Sequence, residues 1–355
     1  MKNNNYEVTE IVTNATQPDL RNAWGIELIN SQLWVTATAS NKLFAFDIAG
    51  VKLREFNVAG GPTGIVDNPR DVAGAPVLYG VTQSGSIYSV NLTTDPPGVT
   101  VHILADPNRV YTGVTIINDI LYAANFHSGF VDRYSLATDI PVPISSLENR
   151  DAPRGYNPFN VANISNKLFV AYAKKAENSD DEVTGKGRGI IFVYTPSDTT
   201  TTRFANKWSR LICGGALNAP WAMIRAPGCF GKFSDSLLVG NFGDGKINSY
   251  DFCGKFLGTL TEININKCRR DLVIDGLWGL VSDNVNASLY YAAGPNDETD
   301  GVLGKITFVR TYCNDNTYPS SNYNRNKNYK KNKYCDDVDD NYGDNSEDDG
   351  YVDDN

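Results

Sequence analysis

The chain has 355 residues, of which 41% are hydrophobic and 21% charged, and its formal net charge is −9. Proteins that bind nucleic acid usually present a basic face, so this acidic balance argues against nucleic acid as a partner. The chain contains no apolar run of the roughly 18 residues that a membrane span needs, and its first residues lack the apolar stretch of a secretory signal; we therefore predict neither feature.

A strand-like segment at residues 6–12 comes first and belongs to no complete repeat. After it, three landmarks recur in a fixed order. The first is an apolar run opened by a polar or turn residue, at 22–26, 61–65, 111–116, 157–161, 218–223 and 275–280. The second is a strand that begins at Leu33, Leu78, Leu121, Leu168, Leu237 and Leu289, at intervals of 45, 43, 47, 69 and 52 residues. Apart from the 69-residue interval, which contains a long insertion, intervals of this size are typical of propeller blades.

The third landmark is a strand in which apolar and other residues alternate, at 43–46, 87–90, 131–134, 190–194, 247–250 and 306–309. A fourth strand follows in five units, at 53–58, 99–104, 142–147, 207–212 and 256–260, but not in the last. We therefore expect residues 6–12 to supply the outer strand of the last blade, which leaves only short, protected edges. The predicted fold is an all-β, six-bladed β-propeller over residues 1–313. Six ordered repetitions argue against the alternative, a two-sheet sandwich.

Residues 314–355 form a separate polar tail. Apart from tyrosine it has almost no apolar residues, and a basic patch at 325–333 precedes ten acidic residues at 336–355. Such a segment buries too little surface to offset its conformational entropy, so we predict that it is disordered.

Several motifs carry a family resemblance, at 22–26, 121–126, 156–161, 240–248, 274–280 and 294–301. Through them the chain resembles a family of uncharacterised six-bladed propeller proteins, mostly exported bacterial proteins that often end in a sorting signal. The resemblance covers roughly residues 6–309 and implies the fold but no established activity. The chain departs from it by Ala222, where the family usually has glycine, by its cysteines and by its tail. The Asn-, Lys- and Tyr-rich ends resemble proteins of giant DNA viruses, which predicts a virion location, with the cytoplasm as the alternative.

A candidate site follows from propeller topology, because the loops that enter the inner strands emerge on one face. The residues that open these strands should ring one mouth of the channel, and they are Asn22, Thr63, Asn157, Asn218 and Asp275. Converging oxygens suit calcium, so Asp275 with the amides of Asn22, Asn157 and Asn218 is a candidate metal site. Gluconolactonase-like propellers hold a divalent metal at this position, which is an analogy of fold alone. The alternative is that Asn and Asp open strands because they accept turn conformations.

One carboxylate among amides makes a weak calcium site, unless Asp297 or Asp300 from the neighbouring loop adds a second. Three tryptophans, Trp24, Trp221 and Trp278, occupy equivalent repeat positions. They could stack on a sugar or a peptide at the mouth, which would make a glycan or a protein the partner, or they could pack between blades.

Nucleophilic catalysis has little support, because the chain has only two histidines and no serine–histidine–acid pattern. His127 lies in a loop on the candidate face, and no phosphate-binding loop is present. The six cysteines are compatible with free thiols or disulfides, and nothing indicates an oligomeric state. The sequence therefore favours a non-catalytic binding or structural propeller, displayed on a virion or cell surface. The alternative function is a metal-dependent hydrolase or lactonase with its site at the channel mouth.

Overall fold

The computed structural model describes residues 5–68, 77–92, 98–196, 207–263 and 269–309. Within these ranges lie six antiparallel sheets of four strands each. The innermost strand of each sheet contacts the innermost strands of the two neighbouring sheets, so these inner strands form a closed ring. The predicted six-bladed propeller is confirmed. The tail predicted to be disordered, 314–355, lies outside the described residues.

The blades follow one another along the chain, each running from its inner to its outer strand. Blade 1 contains β2 (Ala23–Ile29), β3 (Gln32–Ala37), β4 (Lys42–Asp47) and β5 (Lys52–Asn57). Blade 2 contains β6 (Pro62–Asp67), β7 (Val77–Thr82), β8 (Ile87–Asn91) and β9 (Val99–Ile103). Blade 3 contains β10 (Tyr111–Ile117), β11 (Ile120–Asn125), β12 (Phe130–Ser135) and β13 (Val142–Leu147). Blades 4 and 5 contain β14 (Tyr156–Ile164), β15 (Lys167–Lys174), β16 (Ile190–Thr195) and β17 (Lys207–Cys213); and β18 (Pro220–Arg225), β19 (Leu237–Asn241), β20 (Ile247–Tyr250) and β21 (Phe256–Thr259).

Blade 6 is built from both ends of the described chain. It contains β24 (Leu277–Asp283), β25 (Ser288–Ala293), β26 (Val302–Val309) and, as its outer strand, β1 (Asn5–Thr13). The predicted closure is confirmed, since β1 pairs antiparallel with β26. Tyr6 secures this strand: its hydroxyl donates to the carbonyl of Phe230 at 3.0 Å, and its ring packs on Phe230 and Phe308.

Every inner strand is interrupted by a β-bulge near its start. The register shifts between Ala23 and Ile26 in β2, and shifts occur at the equivalent place in β6, β10, β14, β18 and β24. A bulge changes the direction of the side chains within it. The sequence repeat therefore encodes a repeated change of direction at one height in the channel.

The inner strands approach one another closely at these bulges. A Cβ atom on Gly25 would lie 2.4 Å from the carbonyl oxygen of Thr63, and one on Gly279 would lie 2.4 Å from that of Trp24. Both distances are too short for any side chain. The inner strands beside Trp24 and Trp278 therefore require glycine.

Two features were not predicted. A small hairpin of β22 (Thr261–Ile263) and β23 (Arg269–Asp271) lies between blades 5 and 6 and contacts β1, and a 3₁₀ turn covers Gly231–Phe233. The cysteines are of both kinds: Cys253 is disulfide-bonded, whereas Cys213 and Cys229 are exposed free thiols. Among the described residues, no helix is long and apolar enough to cross a membrane.

Candidate binding site at the channel mouth

Asn22, which precedes β2, is the centre of the predicted mouth. Its backbone adopts a left-handed φ of 49°, a conformation that Asn accepts more readily than most residues, and its side chain is buried. Its Oδ1 accepts hydrogen bonds from the indole N–H groups of Trp24, at 2.8 Å, and Trp278, at 3.0 Å. Its Nδ2 donates to Oε2 of Glu298 at 3.0 Å. One amide therefore joins blade 1, blade 6 and the loop between β25 and β26.

The three predicted tryptophans come together at this height. Trp24 stacks on Trp278 with 3.7 Å between ring centroids, and Trp221 meets both rings edge-on. All three are almost completely buried: the exposed fraction is 4% for Trp24, 5% for Trp221 and 0% for Trp278. The indole N–H of Trp221 donates to the carbonyl of Thr112, two blades away, at 3.1 Å. The bulges thus direct these rings at one another, and they make contacts across the channel.

Two phenylalanines complete this group and were missed by the sequence analysis. Phe242 stacks on Trp278 at 4.0 Å, and Phe159 contacts the same ring at 5.7 Å. Phe159 occupies the repeat position of the tryptophans in blade 4, so the repeat alignment could have identified it. Phe242 lies in the loop after β19, and only its place in the 240–248 motif singled it out. We call these five residues, Trp24, Phe159, Trp221, Phe242 and Trp278, the aromatic plug.

Three other predicted residues, Thr63, Asn157 and Asn218, form hydrogen bonds with neighbouring segments. The Thr63 hydroxyl donates to the carbonyl of Tyr111 in the next blade at 2.8 Å. Asn157 Nδ2 donates to the carbonyl of Phe126 at 2.7 Å, and Asn218 Oδ1 accepts from the backbone N–H of Gly185 at 2.6 Å. These bonds tie each inner strand to an adjacent loop or blade.

Of the four predicted ligands, only Asp275 is exposed; Asp297, named as a possible second carboxylate, is exposed as well. Oδ2 of Asp275 accepts from the backbone N–H of Asn296 at 3.0 Å. Asp300, predicted as a possible second carboxylate, accepts from the side-chain amides of Asn14 and Asn296. Asn296 therefore bridges the two carboxylates, which use these contacts to order the loop between β25 and β26.

Two glutamates, Glu182 and Glu298, lie near one another at the mouth, and neither was among the predicted site residues. Burial, with a smaller contribution from the nearby Glu298 and Asp181, raises the pKa of Glu182 to about 7. Burial also raises the pKa of Glu298, although the hydrogen bond from Asn22 opposes this shift. The loops of blades 4 and 6 therefore meet at the mouth, where they present carboxyl groups that hold a proton more tightly than usual.

His127 is held by a carboxylate on the same face. Its Nδ1 lies 3.0 Å from both oxygens of Asp180, which also pairs with Lys175 at 3.2 Å. The imidazole is oriented by this contact. It joins the loop between β11 and β12 to the loop of blade 4 that carries Glu182.

Calcium at the four predicted ligands would compete with bonds already made. Oδ1 of Asn22 accepts two indole N–H groups, and Oδ1 of Asn218 accepts a backbone N–H. A hard cation needs six to eight oxygens, so it would have to displace these donors. Within the described part of the chain, no group of three or more His, Cys, Asp or Glu side chains is placed to hold a metal. The calcium site and the ligand-binding role of the mouth stay predictions.

Comparison with known proteins identifies relatives among viral proteins. Two uncharacterised proteins of Acanthamoeba polyphaga mimivirus are each 30% identical to this chain: one over 328 residues, covering 85% of the chain and 79% of the relative, and one over 316 residues, covering 81% and 80%. A third from the same virus is 28% identical over 330 residues, covering 85% of the chain and 59% of the relative. No family model matches. These relatives agree with the viral character predicted from composition, whereas the resemblance to exported bacterial propellers stays a prediction.

Solved structures share the fold at low sequence identity. A protein of unknown function from Bacteroides thetaiotaomicron superposes with a TM-score of 0.57 at 8% identity, covering 85% of this chain and 75% of that one. The chain BBS1N, solved in complex with ARL6DN, superposes with a TM-score of 0.50 at 12% identity, covering 86% and 98%. At these identities the likeness concerns the fold alone.

Proposed function

Because this chain belongs to a family of mimivirus proteins, we propose that it is a non-catalytic binding or structural propeller, displayed on a virion or cell surface. The observation that carries this proposal is the state of the mouth. Its tryptophans stack on one another, and its central amide serves two indoles and a carboxyl group. Side chains used in this way hold the six blades together.

A protein partner is favoured by the outer surface of the ring. Outer strands of four blades expose apolar side chains to solvent, among them Leu53, Val101, Val142 and Phe256. An outer strand also presents unpaired backbone groups, with which a strand of another protein can pair. The solved complex of BBS1N with ARL6DN is an example of a chain with a similar fold taking a partner.

Surface display can be tested with antibodies raised against residues 5–309. We expect them to label intact particles or intact cells of the source without detergent. Labelling that appears only after permeabilisation would contradict display and leave an internal structural role. Antibodies first absorbed with the purified chain provide the control.

A second candidate function, a metal-dependent hydrolase or lactonase, is favoured by one observation. Glu182 and Glu298 lie close together at the mouth, and the pKa of each is raised. A divalent cation between them would relieve their repulsion, and it would supply the Lewis acid that such a reaction uses.

Calorimetric titration of calcium into the chelator-treated full chain separates the two functions. For a binding or structural propeller we expect no saturable heat at millimolar calcium and no hydrolysis of a sugar lactone. Saturable binding that Glu298→Gln or Asp275→Asn abolishes, together with lactone hydrolysis, would overturn the non-catalytic proposal. The matched control is Asp235→Asn, because Asp235 forms an exposed ion pair with Arg225 and is not one of the predicted site residues.

A further inference from the structure

A second opening to the channel lies on the other side of the aromatic plug. A cavity of about 170 Å³ is lined by residues of all six inner strands and ends against Trp221. In β2, Trp24 and Ile26 are buried, whereas Glu27 and Leu28 are only half-buried, so solvent reaches this part of the strand. We call this space the lumen cavity.

Glu27 is the one ionisable side chain among the described residues that line the lumen cavity. The equivalent positions in four other blades carry Val66, Ala162, Ile224 and Val281. Burial among these alkyl groups raises the pKa of the Glu27 carboxyl to about 8, and the neighbouring carboxylate of Asp67 adds to the rise. A cation that reaches a carboxyl group in such a setting stabilises its ionised form.

Asp67, on the adjacent inner strand, is also incompletely satisfied. Its Oδ1 is buried and has no hydrogen-bond partner among the described residues. A buried carboxylate oxygen without a donor is costly, and native structures seldom leave one without a reason. Asp67 does not itself line the lumen cavity, so Glu27 is the carboxyl group that the cavity presents and Asp67 adds negative charge beside it. No described Lys or Arg lines the cavity.

The other polar groups of the lumen cavity are already used. Asn160 donates to the carbonyl of Trp221 and accepts from the backbone N–H of Val161. The hydroxyl of Thr115 accepts from the backbone N–H of Asn163. A hard metal ion needs six to eight oxygens, so this lining suits it poorly. A cationic head on an aliphatic stem would instead place its charge at Glu27 and its methylenes along the alkyl walls.

We propose that the lumen cavity binds a primary alkylammonium group, with the ammonium at Glu27 and the stem along Val66, Ala162, Ile224 and Val281. The shared chemistry has two sources, a free alkylamine or the lysine side chain of a protein partner. The cavity volume of about 170 Å³ is many times the roughly 10–15 Å³ that one water needs, so it has space for a group larger than water. This site is separate from the channel mouth and does not depend on the function proposed for that face.

The test is calorimetric titration of the full chain with pentylammonium chloride, with pentanol as the neutral probe of equal length. We expect saturable binding of one pentylammonium per chain and none of pentanol. Glu27→Gln, which keeps the shape but cannot ionise when the ammonium binds, should weaken binding at least about tenfold, the equivalent of roughly 1.4 kcal/mol. Glu10→Gln, an exposed position on β1, is the matched control and should bind as the unaltered chain does. Circular dichroism of each variant establishes that it is folded.

A second arm distinguishes the sources. A short peptide with a central lysine, and the same peptide acetylated at that lysine, are titrated in parallel. Glu27-dependent binding of the unmodified peptide alone assigns the site to a protein lysine, whereas binding of pentylammonium alone assigns it to a small amine. Absence of saturable binding by both probes, or equal affinity in Glu27→Gln, would overturn the proposal. So would calcium binding that is lost in Glu27→Gln, because it would make the site a metal site.

Discussion

The two ends of the central channel are built from the same six strands and differ in what fills them. At the mouth, the bulges place four aromatic rings against one another, Phe242 from the loop after β19 adds a fifth, and Asn22 bonds two of the indoles. At the lumen cavity, a few residues further along the same strands, small alkyl side chains leave space around one carboxyl group. One end is closed by its side chains and the other is left open by them.

This difference shows that polar residues at a propeller mouth are not by themselves a binding site. Asn22, Asn157 and Asn218 are polar because loops and blades must be joined there by hydrogen bonds. Glu27 makes no comparable link between blades and instead faces a cavity. The more informative residue for binding is therefore the charged side chain that interrupts an apolar ring.

The largest effect should come from opening the aromatic plug. Trp278→Ala removes a fully buried ring that contacts Trp24, Trp221 and Phe242. We expect a loss of about 3–5 kcal/mol in the free energy of unfolding, measured by denaturant titration. Val281→Ala, in the same strand but at the half-buried lumen cavity, should cost less than about 1.5 kcal/mol. Similar losses for the two variants would show that the ends do not differ in packing.

A smaller effect should follow from removing the central amide. Asn22→Leu leaves the indole N–H groups of Trp24 and Trp278 without their acceptor in a buried setting. We expect a loss of about 2 kcal/mol in the free energy of unfolding, because buried donors without partners cost roughly 1–3 kcal/mol.

Asn157→Leu removes a single bond from a half-buried amide and is the comparison for Asn22→Leu. Its expected loss is about 1 kcal/mol. If Asn22→Leu left the free energy of unfolding unchanged, the indoles would have to find other acceptors. The amide of Asn22 in the unaltered chain would then be free for a ligand, as predicted from the sequence.

The sequence was sufficient to predict the ring of six blades, but not which side chains of the inner strands face the channel. Leu33 and its equivalents recur at blade-sized intervals, and the missing strand after Val309 identified β1 as the closing strand. The direction of side chains in the inner strands could not be predicted, because strict alternation fails at the bulge in each of them. Alternation would place Trp24 and Glu27 on opposite faces of β2, yet the first contributes to the plug and the second lines the lumen cavity. The convergence of Glu182 and Glu298 depends on two loop conformations, which no repeat pattern encodes.

The smallest effect concerns pH and the carboxyl group of Glu27. Its pKa in the folded chain is raised to about 8 from an ordinary value of 4.5, so the folded state holds a proton that the unfolded state has released. Stability contributed by the neutral carboxyl is therefore fully present below pH 4.5 and is lost progressively as the pH rises to about 8. Solvent screens the charge of the half-buried Glu27, so we expect this loss to be about 1–2 kcal/mol, well below what the full shift would give.

Glu27→Gln cannot ionise and should lack this component. The measurement is the free energy of unfolding of both proteins across that pH range, with Glu10→Gln as the control that keeps the unaltered slope. Parallel curves for the unaltered chain and Glu27→Gln would show that Glu27 is as well solvated as an ordinary surface carboxylate, and the contrast between the two ends of the channel would then rest on packing alone.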